Sequence, residues 1–250
     1  MSEESEQERQ LRIKLVTARL AGDFEDLTPK EIDTVVAGAK EGAHRNTLEN
    51  FFDGLMIVLE TRDCPVAIIE MFRSKRGPAL AKLQKIWDGR YPNDTLESLR
   101  ERGIRLIVPV IPYSCLDAHR LMAMIHYGGK VGCIDFDPSR IRDREIAPEQ
   151  PYFIYDVADG RDNCGKTQEY VLQTIKERSR VALNSHEAIA LAFHAGVLKH
   201  HNLLIAGSNY QDSGQMLYIA IEYADVPVFG HVKSVKSATF GIPSCSSREE

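Results

Sequence analysis

The stretch from Gly160 to Thr167 has the spacing of a phosphate-binding loop. Its sequence is Gly-Arg-Asp-Asn-Cys-Gly-Lys-Thr. In loops of this kind, backbone amides and a helix N-terminus surround the phosphate, the lysine reaches the outer phosphates, and the threonine hydroxyl binds Mg²⁺. The pattern makes Gly160, Arg161, Gly165, Lys166 and Thr167 candidate cofactor-binding residues, and it leaves the cofactor itself unknown.

The charge around this loop favours a simpler role. Asp156, Asp159 and Asp162 place three carboxylates beside it, offset by Arg161 and Lys166, and negative charge opposes polyphosphate binding. Only 83 residues follow the loop, which is short for the remaining strands of a phosphate-loop fold. The competing interpretation is a turn followed by the start of a helix.

Cys115 and His119 form a second candidate site, which would be catalytic. Cys115 lies in the first turn of a helix predicted over Ser114–Tyr127, where the helix dipole favours a thiolate. His119 would lie on the same helical face four residues later, so a thiol nucleophile with an imidazole base is one interpretation. The other is a small buried hydrophobic residue, which is a common role for a cysteine in a packed helix.

Asp135 is a third candidate, because it ends a strand predicted over residues 131–136. The sequence Asp135-Phe136-Asp137 gives two carboxylates at that point, and such a pair can bind Mg²⁺ or act as nucleophile and acid. Pro138 follows at once. Since Asp-Pro commonly begins a turn, a turn is the competing interpretation.

The pair His186-Glu187 is half of a zinc-binding helix motif, but residue 190 is alanine where the second ligand should stand. Glu187 is better explained as the capping-box partner of Asn184. No other Cys or His spacing is typical of a metal site, so we predict none.

Charge and hydropathy exclude several classes of protein. The chain has 31 Lys and Arg against 36 Asp and Glu, with an isoelectric point near 5.9, so no broad cationic surface is available for nucleic acid. No apolar run approaches the roughly 20 residues of a membrane-spanning helix, and the acidic first ten residues differ from a secretory signal. Five widely spaced cysteines indicate reduced thiols and a cytoplasmic protein.

Hydrophobic spacing predicts that residues 1–103 are helical. Helices are expected over Glu3–Ala21, from a capping box at Thr28 to about Ala43, over Thr47–Thr61, from Pro78 to Trp87, and from Asp94 or Thr95 to Arg102. Two segments are ambiguous: Leu55–Leu59 could be a strand, and Val66–Phe72 is too short to assign.

Residues 104–250 have a mixed pattern that predicts an α+β domain. Strands are expected over residues 105–111, 131–136, 152–157, 203–206, 216–221 and 226–232, and helices over 114–127, 167–180 and 184–193. The last two strands are joined by a short turn and should form an antiparallel pair. No linker rich in Pro, Gly or Ser separates this domain from the helical part, so the two could form one continuous globular unit.

Several short motifs follow one another through the second part of the chain. They are Ile111-Pro112, Gly128-Gly129-Lys130-Val131-Gly132, Asp137-Pro138, Tyr155-Asp156-Val157, Gly160-Arg161-Asp162, Arg178-x-Arg180-x-Ala182-Leu183, Glu187-Ala188-Ile189-Ala190-Leu191, Gly196-Val197-Leu198, Gly207-Ser208 and Gly241-Ile242-Pro243-Ser244-Cys245. The series, between residues 105 and 245, resembles a bacterial family catalogued as a domain of unknown function. The resemblance implies a shared fold and a bacterial cytosolic setting, and it implies no activity.

Every catalytic pattern described above is incomplete, which favours a binding or interaction protein without established chemistry. Its partners are unknown, and neither nucleic acid nor a membrane is expected among them. An apolar face with Met122, Met124 and Ile125 would contact a partner or a second copy, giving a homo-oligomer.

The alternative is a small-molecule enzyme that acts on a phosphorylated or nucleotide-like substrate. Its pocket would lie at the carboxyl ends of strands 105–111, 131–136 and 152–157, because clefts in α/β folds form there. Convergence of Cys115, Asp135, Asp156 and Arg161 in one cleft would favour the enzyme, and their separation would favour the binding protein.

Overall fold

A computed structural model describes residues 48–144, 146–211, 215–234 and 238–249. The helices expected over Glu3–Ala21 and from Thr28 to Ala43 lie outside the described residues. The chain divides into two compact units, with the division between Gln84 and Lys85. The change of sequence pattern near residue 103 coincides with the start of the first strand.

Helices account for the described residues of the first unit. They are α1 (Leu48–Thr61), α2 (Val66–Ser74) and α3 (Arg76–Arg90), the last of which contains the division between the units. The helix expected over Thr47–Thr61 is confirmed, because Phe52 and Leu55 are buried on its apolar face. Arg76 donates from Nε to Asp53 Oδ1 at 3.0 Å, which links α3 to α1.

The second unit contains a short helix, α4 (Leu96–Glu101), whose N-cap is Thr95, one of the two cap residues that the sequence allows. Thr95 Oγ1 accepts from the Ser98 amide at 3.1 Å, and Ser98 Oγ accepts from the Thr95 amide at 3.0 Å. These reciprocal bonds satisfy amides that the start of a helix leaves unpaired. Gly103, with a φ of 74°, then turns the chain into the first strand.

The strands of the second unit form two sheets and a short hairpin. In chain order they are β1 (Ile104–Val110), β2 (His126–Tyr127), β3 (Lys130–Val131), β4 (Cys133–Ile134), β5 (Ile141–Asp143), β6 (Tyr152–Ala158), β7 (Val181–Ala182), β8 (Asn202–Tyr210), β9 (Gln215–Ile221), β10 (Pro227–Val232), β11 (Phe240–Gly241), β12 (Ser244–Cys245) and β13 (Ser247–Glu249). The first sheet has the order β1-β6-β12-β7, with β13 also paired to β6. The second has the order β11-β8-β9-β10-β4, with β5 paired to β8. The fold is α+β, as predicted.

Three further helices pack around these sheets. They are α5 (Ala118–Ala123), α6 (Gln168–Glu177) and α7 (Ser185–Ala195). Every residue of α7 is buried, and the helix contacts β1 of the first sheet and β8 and β9 of the second. It begins at the predicted capping box of Asn184 and ends at Gly196, whose φ is 57°. Because α7 is enclosed on all sides, the polar residues in its first turn are enclosed with it.

The predicted antiparallel pair near the C-terminus is confirmed. Strands β9 and β10 pair antiparallel, with Ile221 opposite Pro227 and Met216 opposite Val232. The strands β11, β12 and β13 were not predicted, because segments of two or three residues are too short to show a period. They bring the end of the described chain beside β6 and β8.

The helix expected over Ser114–Tyr127 is much shorter in the structure. It is α5, which begins after Asp117, whose side chain accepts from the Arg120 amide. The segment that follows is not helical, because β2 and β3 form a hairpin there. Gly128 and Gly129, with φ values of 52° and 72°, make its turn. The glycine pair therefore closes a hairpin rather than ending a long helix.

The strand expected over residues 131–136 is divided between two elements. Val131 belongs to the hairpin, whereas Cys133 and Ile134 form β4 in the second sheet, parallel to β10. At Gly132 between them, an added Cβ would lie 2.4 Å from the carbonyl oxygen of Met122. This close approach to the end of α5 requires glycine and separates the two short strands.

The strands expected to share a pocket do not present their carboxyl ends at one edge. Strands β1 and β6 are antiparallel, with Ile104 opposite Ala158 and Val110 opposite Tyr152, so their carboxyl ends lie at opposite ends of the pair. Strand β4 belongs to the other sheet. The predicted geometry of a pocket at strands 105–111, 131–136 and 152–157 is therefore wrong.

Candidate functional site

Polar side chains from four segments gather at the start of α7. Tyr113 follows β1, Asp143 ends β5, Ser185 and His186 open α7, and Ser208 lies in β8. Tyr113, Asp143, Ser185 and His186 are called the α7 polar cluster below. Pairing of β5 with β8 places Asp143 opposite Ser208, and the contacts of α7 with β1 and β8 bring the remaining members together.

An irregularity in β8 directs Ser208 toward α7. The register of β8 against β9 shifts between Ile205 and Asn209. Within this stretch, a Cβ added at Gly207 would lie 2.5 Å from the carbonyl oxygen of Leu183, so only glycine allows the approach. Ser208 Oγ accepts from the Ser185 amide at 2.8 Å and donates to Asp143 Oδ1 at 2.5 Å. One hydroxyl thus connects β8, β5 and α7.

The imidazole of His186 is fixed by groups that leave one tautomer. Asn184 Oδ1 accepts from the Glu187 amide at 3.0 Å, so the Asn184 Nδ2 group is the one that faces His186 Nε2 at 3.1 Å. Because Nδ2 can only donate, Nε2 is the accepting nitrogen and the ring proton lies on Nδ1. Burial lowers the pKa of His186, which keeps the ring neutral.

The negative charge of the neighbouring carboxylate, Glu187, is balanced by Arg248. It is buried, and Arg248 donates to it from Nε at 2.5 Å and from Nη2 at 2.9 Å. Tyr152 Oη donates to Glu187 Oε1 at 2.9 Å. Burial and the nearby Glu187 raise the pKa of Tyr152, so the phenol stays protonated and able to donate. Glu187 is therefore a structural anchor of the capping box.

His186 Nδ1 is buried without a hydrogen-bond partner among the described residues. The buried hydroxyls of Tyr113 and Ser185 bond to each other and to no other described group. The rings of Tyr113 and His186 meet edge to face with centroids 5.1 Å apart. Each buried unpaired polar atom costs on the order of 1–3 kcal/mol. Such atoms usually mark a place that water, an ion or a ligand completes.

Asp143 forms the open side of the cluster. Its side chain is 27% exposed, and its Oδ2 lies 4.0 Å from His186 Nδ1. No Lys or Arg of the described residues forms an ion pair with it, and the adjacent Arg144 donates instead to Asn209 Oδ1 at 2.8 Å. The cluster therefore combines a carboxylate that has no ion pair with a neutral imidazole and two hydroxyls that bond to each other.

Cys115 and His119 do not share a helical face. Cys115 lies in the turn before α5, where its thiol contacts the Glu149 carbonyl at 3.5 Å. His119 is an exposed residue of α5. The predicted pairing depended on a helix that begins at Ser114, whereas α5 begins at Ala118. The helical spacing of these two residues therefore does not bring thiol and imidazole together.

Asp135 lies in the second sheet, apart from the other predicted residues. Its amide donates to the Phe229 carbonyl at 3.3 Å, and burial and Glu222 raise the pKa of its carboxyl. Asp137 has a separate role, because its Oδ1 accepts from the Ser139 amide at 3.0 Å and begins a 3₁₀ turn. The two carboxylates therefore face different partners, and the Asp-Pro sequence forms the turn that was its competing interpretation.

The backbone amides of the Gly160–Thr167 loop bond within the loop. The amides of Asn163, Cys164 and Lys166 donate to carbonyls of the same segment at 3.0–3.3 Å, so these donors point inward rather than toward a phosphate. Thr167 is the N-cap of α6 and accepts from the Tyr170 amide at 3.4 Å. The arrangement agrees with a turn that leads into a helix.

The remaining side chains of this loop attach it to other parts of the second unit. Arg161 donates from Nη2 to Asp159 Oδ2 at 2.7 Å and from Nη1 to the Glu101 carbonyl at 2.6 Å. Asn163 exchanges two bonds with the backbone of Ile242, at 2.8 and 2.9 Å. Gly165 has a φ of 78° and completes the turn. The loop therefore holds the segment before β12.

The carboxylate of Asp156 is also fully hydrogen-bonded, although the residue has an unusual backbone conformation. Its φ is 49°, which is uncommon outside glycine. Its carboxylate accepts from Arg180 Nη1 at 2.8 Å, from Tyr91 Oη at 2.5 Å, and from Arg90. Since these donors satisfy the buried charge, Asp156 anchors β6 and offers no free acceptor for a substrate.

The predicted partner surface is enclosed within the chain. Met122, Met124 and Ile125 are all buried, so they cannot form an exposed apolar face. Within the described ranges, no group of three or more His, Cys, Asp and Glu side chains is arranged to hold a metal ion.

Sequence reasoning found His186 and Glu187 but missed the site around them. The signal was available in α7, whose residues after the first turn are almost all apolar. A helix that is apolar on every side is a buried helix. Its opening Ser185 and His186 must then be buried as well, and buried polar groups need partners. Tyr113 and Asp143 carry no comparable local signal.

Comparison of the chain with protein-family models, curated proteins and solved structures finds no match. No helix in the described part of the chain has the length and apolar character needed to cross a bilayer.

Proposed function

We propose that this protein binds a small polar molecule at the α7 polar cluster and carries out no chemistry on it. One observation carries the proposal. His186 Nδ1 is buried without a hydrogen-bond partner beside the Asp143 carboxylate, next to the buried hydroxyl pair of Tyr113 and Ser185. A ligand that supplies an acceptor for Nδ1 would remove the cost of leaving it unpaired.

Binding is favoured over catalysis because the basic nitrogen of the site is enclosed. His186 Nε2 accepts from Asn184 and lies 3.1 Å from Tyr152 Oη, so it is not placed to take a proton from a substrate. The Ser185 hydroxyl has no imidazole bonded to it that would activate it as a nucleophile. These groups can orient a ligand, which agrees with a binding protein.

The site is also rigid, which favours binding. The capping box fixes the start of α7, and Ser208 ties it to Asp143 through bonds of 2.8 and 2.5 Å. Groups that are already in place lose little conformational entropy when a ligand arrives.

A thermal-shift panel on the full chain tests this proposal. Small amines, polyols, carboxylates and phosphates are compared on the wild type, on Ser185→Ala and on Ser74→Ala, which removes an exposed hydroxyl of α2. A ligand at 100 times its Kd should add about 2.7 kcal/mol of stability to the wild type. Ser74→Ala should respond equally, and Ser185→Ala should respond less.

Ser185→Ala should fold, because the hydroxyl that it removes makes a single hydrogen bond, to Tyr113. We expect its ligand-free stability to lie within about 0.5–1.5 kcal/mol of the wild type. If no compound class stabilises the wild type, or if Ser185→Ala responds as strongly as the wild type, the proposal is wrong.

The alternative function, an enzyme for a phosphorylated or nucleotide-like compound, stays a prediction. The observation in its favour is the order of strand, loop and helix around Gly160–Thr167. Its candidate catalytic residues Cys115, His119 and Asp135 lie on separate elements.

We further propose a cytoplasmic location and a bacterial source. None of the described cysteines forms a disulfide, which supports a reducing compartment, and the resemblance over residues 105–245 supports both proposals. Fractionation of the source cells tests the location, and recovery from an oxidising compartment would contradict it.

A further inference from the structure

We infer that a proton controls the N-cap of α7: protonation of His186 at Nε2 turns the Asn184 amide and breaks its hydrogen bond to the start of the helix. Such a switch needs no ligand, so it is separate from the proposed function.

The two ends of the Asn184 amide have different partners at the start of α7. Its Oδ1 accepts from the Glu187 amide at 3.0 Å, which is the N-cap bond, and its Nδ2 faces His186 Nε2 at 3.1 Å. An amide nitrogen can only donate, so this arrangement requires a lone pair on Nε2. The cap bond and the neutral imidazole therefore exist together.

A proton on Nε2 removes that lone pair and places two donors against each other. Asn184 and His186 are both buried, and a buried donor without an acceptor is unfavourable. A half-turn of the Asn184 amide resolves the conflict, because Oδ1 then accepts from the new N–H group. The Glu187 amide loses its acceptor in the same movement, and the first turn of α7 is left without its cap.

Tyr152 is the other neighbour of His186 Nε2, and its phenol does not relieve the conflict at Asn184. Tyr152 Oη lies 3.1 Å from Nε2 and donates its own proton to Glu187 Oε1 at 2.9 Å. If Oη accepted from the protonated ring, Asn184 Nδ2 would still face an N–H group. Protonation therefore disturbs the Asn184 amide in either case.

The charges around His186 place the switch at mildly acidic pH. The titratable groups that face the ring are Asp143 of β5, Glu187 of α7, Arg248 of β13, Tyr152 of β6 and Tyr113 after β1. Asp143 and Glu187 favour the charged ring, but burial has the larger effect and lowers the pKa of His186. The N-terminal end of the helix dipole also opposes a cation there. The switch therefore operates below about pH 6.5, the ordinary pKa of histidine.

Nuclear magnetic resonance on the full chain between pH 7.5 and 5.0 tests the inference. The ring nitrogen shifts of His186 report the proton on Nε2, and hydrogen exchange of the Glu187 amide, relative to its intrinsic rate, reports the cap bond. We expect Nε2 to be unprotonated at pH 7.5. As it becomes protonated, the protection of the Glu187 amide should fall about fivefold with the same midpoint, which matches the usual contribution of an N-cap bond.

Three variants separate the switch from a general effect of acid. His186→Gln has no titrating group at this position, so the Glu187 amide should keep its protection across the pH range. His119→Gln removes an exposed imidazole of α5 and should behave as the wild type does. Asn184→Asp offers two accepting oxygens, one for the Glu187 amide and one for His186 Nε2. In that variant the midpoint of His186 should rise by about one to three pH units, and the Glu187 amide should stay protected.

Three results would overturn the inference. The first is protonation of His186 Nε2 with unchanged protection of the Glu187 amide, because the cap bond then survives the proton. The second is a ring that stays neutral until the whole chain unfolds. The third is a loss of protection in His186→Gln that equals the loss in the wild type, because another group is then responsible. The wild type and the two histidine variants give this answer even if Asn184→Asp fails to fold, and ligand binding is measured separately by the thermal-shift panel.

Discussion

His186, in the first turn of α7, has one ring nitrogen that is hydrogen-bonded and one that is not. Its Nε2 is held by Asn184, and its Nδ1 faces Asp143 without a hydrogen bond. The charged groups around the ring are Asp143, Glu187 and Arg248. Burial outweighs the two carboxylates and lowers the pKa of the imidazole. A residue of this kind makes folding depend on pH.

Stability should fall when the pH drops below about 6.5, the pKa of an unfolded histidine. The folded His186 has a lowered pKa, so the unfolded state binds the proton first and is favoured as pH decreases. The contribution is complete above pH 6.5 and is lost toward the folded pKa. Between pH 7.5 and 5.5 the loss is at most about 1.4 kcal/mol.

Urea unfolding of the wild type and of His186→Gln at the two pH values measures this effect. The stability of His186→Gln should lack the decrease at low pH that is due to His186. His119→Gln removes an exposed imidazole and should keep the slope of the wild type. Equal slopes for all three proteins would show that His186 is not the group responsible.

At the scale of the element, the Gly160–Thr167 loop shows how a motif can match in spacing and differ in geometry. The pattern specifies glycines, a lysine and a threonine, but it does not specify where the amides point. Here three amides bond within the loop, and Lys166 lies with its Nζ 5.7 Å from the centroid of the Tyr170 ring. The residues of the loop cap α6 and form hydrogen bonds with the backbone of Ile242.

Nucleotides should not stabilise this protein. ATP or GTP with Mg²⁺, added at millimolar concentration in a thermal-shift assay, should leave the melting temperature unchanged, because the loop offers inward-pointing amides and nearby carboxylates. Lys166→Ala should behave as the wild type. A stabilisation of about 2.7 kcal/mol, which binding at 100 times the Kd would give, and its loss in Lys166→Ala would instead establish the phosphate-loop interpretation.

Elements with local signals were predictable from the sequence, and elements made by distant pairing were not. The start of α7 at Asn184 follows from its capping box, because both partners lie within one turn. The glycine pair at residues 128 and 129 predicts a helix end, whereas the structure has a hairpin there, because a glycine pair permits either outcome. The short strands β12 and β13 exist because β6 lies beside them, which no local pattern specifies.

At the scale of the whole molecule, the candidate site depends on contacts across long stretches of chain. Tyr113, Asp143 and Ser185 come from different segments, and only the pairing of β5 with β8 and the packing of α7 bring them together. Sequence spacing could identify His186-Glu187 as unusual. It could not supply Asp143, because the position of β5 is set by the second sheet and not by neighbours in sequence.

The terminal strand β13 should determine the stability of the second unit. Arg248→Met leaves Glu187 buried without its arginine, and breaking a buried ion pair from one side costs about 3–5 kcal/mol. Adding Glu187→Gln to that variant removes the unpaired charge and should recover part of the loss. Urea unfolding of the wild type, the single variant and the double variant measures both effects.

If Arg248→Met is as stable as the wild type, Arg248 does not balance the charge of Glu187 in solution. A double variant that is less stable than the single variant would show that the Glu187 side chain acts through its capping bonds more than through its charge.

The order of synthesis on the ribosome determines when the ion pair between Arg248 and Glu187 can form. Arg248 follows Glu187 by 61 residues, so at 5–20 residues per second it is made on the order of 3–12 s later. During that interval the Glu187 carboxylate has no guanidinium to meet, and burying it alone is unfavourable. The start of α7 therefore reaches its final environment only after β13 has left the exit tunnel. The burial of Glu187 therefore waits for β13, although both members of its capping box, Asn184 and Glu187, are made within three residues of each other.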